Sequence, residues 1–353
     1  MESRGFYRLK TEPCVWRRGS DDKFLTVIIY VDDGLVAGPS EQEVTNFGQE
    51  LQAVFGAECR FKIGKELEYL GMALDFTKKG VCRVTMPKTL SGILADYTFQ
   101  CRKHKTPAAD DLFRVDQESP KLDRELTDVF YSLVYRLLYV AKRVVPEILT
   151  AVQFLTTRVT KSTEEDLHKL VRVLKYLEDL EDPAIYLSAD PRNMKVKVSA
   201  DASFACHEDA KSQTGLTATL GEGPILVKSK KQKSVTKSST GAELKSASEG
   251  ASDAVWIRRY IQELFYWIVV PSVELAQDNS STRFMIERGR PTSDRTRHVA
   301  VDDFYVSECV ERGEVVIVPM GTKDMDADML SKASQGEMFA ENVARVTGRA
   351  VKK

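Results

Sequence analysis

At 353 residues the chain is long enough for two or three domains, and 42% hydrophobic with 29% charged residues is the balance of an ordinary globular protein. A formal net charge of −1 excludes a globally basic nucleic-acid binder, so any such surface must be local. The longest apolar run, residues 24–31, is too short to span a bilayer, and no signal-peptide pattern opens the chain. The six cysteines, without CxxC or His/Cys ligand spacing, read as reduced thiols of an intracellular protein.

In chain order, residues 24–31 predict a buried strand from their β-branched content, and Leu35-Val36-Ala37 resumes the apolar pattern after Asp32-Asp33-Gly34. An Asp-Gly pair between apolar runs signals a hairpin turn, which is the plain reading of that segment. Ser40-Glu41-Gln42-Glu43 is a capping box, and Val44, Phe47, Leu51, Val54 and Phe55 mark one helical face stopped by Gly56. Strands are expected at about 69–76 and 81–86, then a helix from about Lys88. Residues 102–124 read as a polar, Pro-containing linker. Three helical patterns follow. The first carries Val129, Leu133, Leu137 and Leu138, the second starts at Pro146, and the third opens on a capping box at Ser162-Thr163-Glu164-Glu165. Ala189-Asp190-Pro191-Arg192-Asn193 is the clearest boundary. Beyond it strands are expected at 195–200, 214–220 and 225–228, helices at about 240–250 and 254–264, and a strand at 273–277. A helix at 299–311, a strand at 315–319 and a last helix after Asp326 complete a mixed α/β sheet.

Four acids lie in this last region: Asp201, Glu243, Asp278 and Asp328. The first and third end apolar, strand-like stretches, and the second and fourth open helical patterns. Taken singly each is an ordinary surface or capping residue. Brought together, four carboxylates would repel one another unless they held hard divalent cations.

The residues in order resemble the Pol polyprotein of copia-type LTR retrotransposons, from the end of the reverse transcriptase through its ribonuclease H. Gly5-Phe6 with Lys10-Thr11-Glu12-Pro13-Cys14 resembles the segment before the polymerase's Tyr-x-Asp-Asp strand, and Tyr30-Val31-Asp32-Asp33 stands as that motif. Tyr69-Leu70-Gly71-Met72 is similar to the primer-grip hairpin. Tyr131-Ser132-Leu133-Val134, Leu138-Tyr139-Val140-Ala141 and the segment 171–177 resemble the helical connection. Lys230-Lys231-Gln232 with Ser238-Ser239-Thr240, then Arg295-Thr296-Arg297-His298 and Ala327-Asp328-Met329-Leu330-Ser331-Lys332, complete the pattern.

The resemblance implies a partial α+β palm and thumb start over 1–101 and a linker with helical connection over 102–190. A ribonuclease H-like mixed-sheet domain over 191–335 and a C-terminal tail over 336–353 follow. It implies Mg²⁺, with Mn²⁺ able to substitute, bound by Asp201, Glu243, Asp278 and Asp328, and hydrolysis of the RNA strand of an RNA–DNA hybrid. Asp201 would bridge two ions, Glu243 and Asp278 would each bind one, and Asp328 would complete the second position. Lys228, Lys230, Lys231, Lys233 and Lys237 are the candidates for phosphate contact, or else a solvated loop. Asp32 and Asp33 are a polymerase remnant: the further metal-binding Asp and the fingers region lie upstream in the family, so no DNA synthesis is expected from this chain alone. The uncovered hairpin would then make residues 1–100 the less stable part. Gly241 stands where the family has an extra Glu. Around His298, read equally as a helix cap or a site residue, the usual positions are replaced by Ala300, Asp302 and Phe304. The alternative is a non-catalytic remnant that binds nucleic acid or an intact polymerase. Neither reading expects a membrane or a small-molecule substrate, and both place the protein inside the cell, in cytoplasmic virus-like particles or the nucleus.

Overall fold

The structure is a computed structural model describing residues 1–96, 103–190, 192–291 and 301–349, without the side chains of 301 and 302. It is a mixed α/β arrangement with three sheets. The predicted positions Ala300 and His298, with Arg295-Thr296-Arg297 and Cys101, lie outside the described residues, as does the side chain of Asp302.

The first sheet is antiparallel, in the order β1 (Tyr7–Arg8), β2 (Val15–Ser20), β3 (Lys23–Tyr30), β4 (Asp33–Ala37). Period-2 alternation along β3 serves both faces. Leu25 and Val27 pack with Phe6 on Phe47 of helix α1 (Glu41–Phe55), while Phe24 and Ile28 join Leu9, Val15, Leu264 and Phe265 on the other side. The expectation of an uncovered hairpin is corrected for β3 alone, since β4 remains the edge of this sheet and Tyr30 and Val31 at the hairpin tip are exposed. Residues 7–20, not read as strands, flank β3, and a distant helix end covers its second face. The turn also differs from the expected Asp-Gly. Tyr30 pairs with Asp33, so Val31 and Asp32 form the loop, and Gly34 lies in the strand opposite Ile29. Val31 takes a φ of 54°, a left-handed conformation that a β-branched residue rarely adopts.

The second sheet runs β5 (Glu66–Tyr69), β6 (Met72–Asp75), β7 (Cys82–Thr85), β8 (Ala184–Leu187). Residues 69–76 are not one strand. Leu70 and Gly71, at φ 50° and 73°, make a two-residue turn that pairs Tyr69 with Met72. Helices α2 (Pro87–Ala95), α3 (Arg124–Ala141), α4 (Leu149–Thr156) and α5 (Glu164–Glu178) bury their apolar faces in one cluster against this sheet. The third capping box is shifted by one residue. Thr163, not Ser162, accepts from the Asp166 amide, and Asp166 answers to the Thr163 amide. Asp166 wins over Glu165 because it also pairs with buried Arg158 at 3.0 Å.

The third sheet has the order β11-β10-β9-β12-β13. Here β9 (Lys197–Ser203), β10 (Gln213–Thr219) and β11 (Pro224–Lys231) are antiparallel, and β12 (Val273–Gln277) and β13 (Val315–Pro319) continue parallel to β9. One 26-residue helix, α6 (Ser239–Leu264), crosses this sheet where two helices broken near Gly250 were expected. A Cβ at Gly250 would meet Leu216, Val198 and Leu275 at 3.2–3.4 Å. Gly250 is thus a close-approach residue, and packing overrides its low helical propensity. Helices α7 (Ser280–Arg288) and α8 (Tyr305–Glu311) flank the parallel strands, and the single turn α9 (Asp328–Ser331) leans on β10. Residues 336–353, expected as a tail, hold helix α10 (Gly336–Thr347), whose Phe339, Val343 and Val346 enter the same cluster as α3–α5.

Candidate metal centre

Each acid is placed by a different element. Asp201 lies on central strand β9, opposite Gly215 of β10. Gly215 matters because an added Cβ would stand 2.5 Å from the Ala327 carbonyl oxygen and 2.7 Å from the Ser331 amide nitrogen. Only glycine lets α9, which Asp328 opens, lie against the strand beside Asp201. Glu243 occupies the start of α6, whose amides are capped by Ser238, and the Ser246 hydroxyl donates to the Asp201 carbonyl at 2.9 Å. Parallel pairing of Ala276 with Ser199 brings Asp278, just past β12, abreast of Asp201. Thr322 donates to Asp278 Oδ2 at 3.1 Å, and Arg283 holds the Asp278 carbonyl.

The result is a cluster. One carboxylate oxygen each from Asp201, Glu243 and Asp278 lies within 4.8 Å of the others, the group of this kind found among the described residues. Asp201 and Glu243 are buried. Asp328 is linked to the cluster through Lys332, whose Nζ lies 2.9 Å from Asp328 Oδ1 and 3.2 Å from Asp201 Oδ2. The Ser331 hydroxyl also donates to Asp201.

Burial, then the charges of Asp201 and Asp278, push the Glu243 carboxyl up to about 9. Burial and Asp201 raise Asp328 to about 6, against the opposing pull of Lys332. Burial disfavours the Lys332 ammonium, but Asp201 and Asp328 outweigh it and hold its pKa above the usual lysine range. Among the described residues only Lys332 offsets this negative charge, and hard carboxylate oxygens at this spacing suit a hard divalent cation. Lys332 and Ser331 were quoted in the sequence pattern without a role. The i,i+4 spacing of Asp328 and Lys332 on a helix was the available signal.

The remaining candidates lie apart from this cluster. Lys228 pairs with Asp253 at 2.7 Å, Lys230 with Glu249 at 2.9 Å, and Lys231 with Asp209 at 2.8 Å. Lys233 and Lys237 are exposed before α6. Asp32 and Asp33 are exposed at the β3–β4 hairpin, and no third metal-ligating side chain among the described residues joins them. A cavity of about 440 Å³ opens beside the cluster, lined by Asp110, Phe113, Arg114, Ser203 and Lys332 among others.

No protein-family model matches the chain. It is 24% identical over 347 residues to the retrovirus-related Pol polyprotein from transposon TNT 1-94 of Nicotiana tabacum, covering 96% of this chain and 26% of that protein. It is 29% identical over 341 residues to the Pol polyprotein from transposon RE1 of Arabidopsis thaliana, covering 94% and 22%. The chain is a relative of the copia-type retrotransposon Pol polyproteins. It spans about a quarter of the length of these Pol relatives. A solved structure, the N-terminal RNase H domain of rv2228c from Mycobacterium tuberculosis, aligns over 39% of this chain and 91% of that one. Its 13% identity and TM-score of 0.28 are too low to establish a shared fold. No helix among the described residues is long and apolar enough to cross a membrane.

Proposed function

We infer that residues 191–335 of this Pol relative form a ribonuclease H-like unit that hydrolyses the RNA strand of RNA–DNA hybrids. In this reading the unit follows a stretch of reverse-transcriptase palm (1–101) and a helical connection (102–190), with 336–353 as the C-terminal segment. The convergence of Asp201, Glu243 and Asp278 on a sheet of three antiparallel and two parallel strands is the observation that carries it. Bound Mg²⁺, or Mn²⁺ in its place, supplies the activated water and steadies the leaving oxygen of an in-line phosphodiester displacement. Asp201 would be the shared ligand, Glu243 and Asp278 would close one cation position, and Asp328 would belong to the other. The fold presents the oxygens of Asp201, Glu243 and Asp278 before any ion arrives, so little reorganisation is needed at that position.

A hybrid is read by its 2′-hydroxyls and backbone shape. Lys233 and Lys237 are the better placed of the five lysines for phosphate contact, because the other three already face carboxylates. We expect no DNA synthesis from this chain alone, since Asp32 and Asp33 gain no third carboxylate among the described residues. That activity would need an intact polymerase or an upstream Pol segment as partner. Neither a small-molecule substrate nor a membrane enters the reading, and its setting is intracellular.

A non-catalytic remnant that binds nucleic acid or a polymerase is the second reading. Gly241 favours it, since the first turn of α6 brings no further carboxylate to the cluster. Purified protein with Mg²⁺ and a labelled hybrid separates the two. The first reading expects cleavage confined to the RNA strand. It also expects Asp201→Asn to lose more than the roughly 10–100-fold typical of removing an outer-shell partner of a metal. A folded protein that cuts nothing in Mg²⁺ or Mn²⁺ establishes the second.

A further inference from the structure

Asp201 has neighbours of opposite character on two sides. One side is the cluster with Glu243 and Asp278, and the other is the ammonium of Lys332. That ammonium lies 3.2 and 3.4 Å from the two Asp201 carboxylate oxygens and 2.9 Å from Asp328 Oδ1, so it bridges the two acids alongside the Ser331 hydroxyl, which reaches Asp201 Oδ2 and the Asp328 carbonyl. The carboxylates are buried, with side chains 1% and 7% exposed, whereas the Lys332 side chain is 41% exposed. The cation therefore reaches in from the solvent side on a flexible stem and has a route back out. It lines an open cavity together with Phe113 and Arg114.

We propose that Lys332 is a built-in counter-cation that occupies the second cation position, between Asp201 and Asp328. A second divalent ion binds there only by displacing it. The proposal rests on the metal-binding reading given above. Without Lys332, Asp328 and Asp201 would face each other as buried like charges, which burial makes costly. With it, the site is stable around a single divalent ion, and retraction of the ammonium exposes two carboxylates prepared for another. Lysine suits this role better than arginine, since a point charge on four methylenes leaves more readily than a planar fork holding two acceptors.

Mn²⁺ titration of the full chain, with bound ions counted by electron paramagnetic resonance, tests this without reading turnover. Wild type should fill one position well before the second. Lys332→Met should tighten the second by about tenfold or more, equivalent to about 1.4 kcal/mol. Lys332→Arg, which keeps a cation that leaves less readily, should bind the second ion no more tightly than wild type. The melting temperature of Lys332→Met should fall in metal-free buffer and recover with Mn²⁺, whereas a merely structural tie would leave the loss in place. Should Lys332→Met fail to fold without metal, Lys332→Gln serves for the titration. Unchanged or weaker second-ion affinity in the folded variant overturns the proposal. Asp201→Asn separates the two levels. If it keeps both ions, the metal-binding reading fails as well; if it loses them while Lys332→Met matches wild type, only the role of Lys332 falls.

Discussion

Glu243 shows at single-residue scale what the cluster demands. Burial and two neighbouring carboxylates raise its pKa from 4.5 to about 9. An acid with a raised folded-state value is held protonated by the fold. Its penalty is absent below the unfolded value and grows as pH rises towards the folded one. The metal-free protein should therefore lose thermal stability between pH of about 4.5 and about 9. Saturating Mg²⁺, or Glu243→Gln, should flatten that slope in a calorimetric scan, and a flat wild-type profile without metal would show that the acids do not interact. The four acids could be named from sequence because strand ends and helix starts have local signatures. The ammonium between two of them could not. Its partner Asp201 is 131 residues away, and only the fold brings them within reach.

Elements were legible where their signal was local and their packing uniform. The bounds of β12 and β13 follow from a mostly apolar stretch at 273–277 and an apolar run at 315–319. Readings failed where a tertiary contact outranked a local rule. Gly250 looks like a helix stop, yet it is the spot where α6 comes close enough to touch Leu216 and Val198. The hairpin at Tyr30-Val31-Asp32-Asp33 follows strand register and not the Asp-Gly preference. Gly215 has the largest consequence of these positions. Gly215→Ala would drive a methyl into the backbone of α9, and overpacking of this kind costs about 1–3 kcal/mol. Denaturant unfolding should show that loss, and metal affinity should fall with it because Asp328 moves. Gly250→Leu should cost a similar amount, about 1–3 kcal/mol, while sparing Glu243 two turns earlier on the same helix.

Across the whole molecule, the first sheet is held to the third by the far end of α6. Glu263 accepts from the Lys10 amide at 2.7 Å, the Thr11 amide at 2.9 Å and the Thr11 hydroxyl at 2.6 Å. Beside them Arg17 is fully buried, its guanidinium 4.2–4.7 Å from the ring centres of Phe24, Tyr266 and Trp267 and hydrogen-bonded to Tyr7. The coupling was invisible in the sequence, because Glu263 and Arg17 belong to segments some 250 residues apart with no shared pattern. Glu263→Ala removes the acceptor of these partly exposed donors, which water can replace, at about 0.5–1.5 kcal/mol for a hydrogen bond lost. Limited proteolysis should then release residues 1–60 earlier than in wild type; an unchanged cleavage order would mean that the aromatic cage alone secures the sheet.

The central claim is that three distant carboxylates converge to share a divalent cation, and anomalous diffraction from a crystal soaked in Mn²⁺ tests it most directly. The structure predicts a peak in direct contact with Asp201, Glu243 and Asp278, absent from Asp201→Asn. Saturating Mn²⁺ with no peak between these three side chains, or an ion held elsewhere on the sheet, would contradict it.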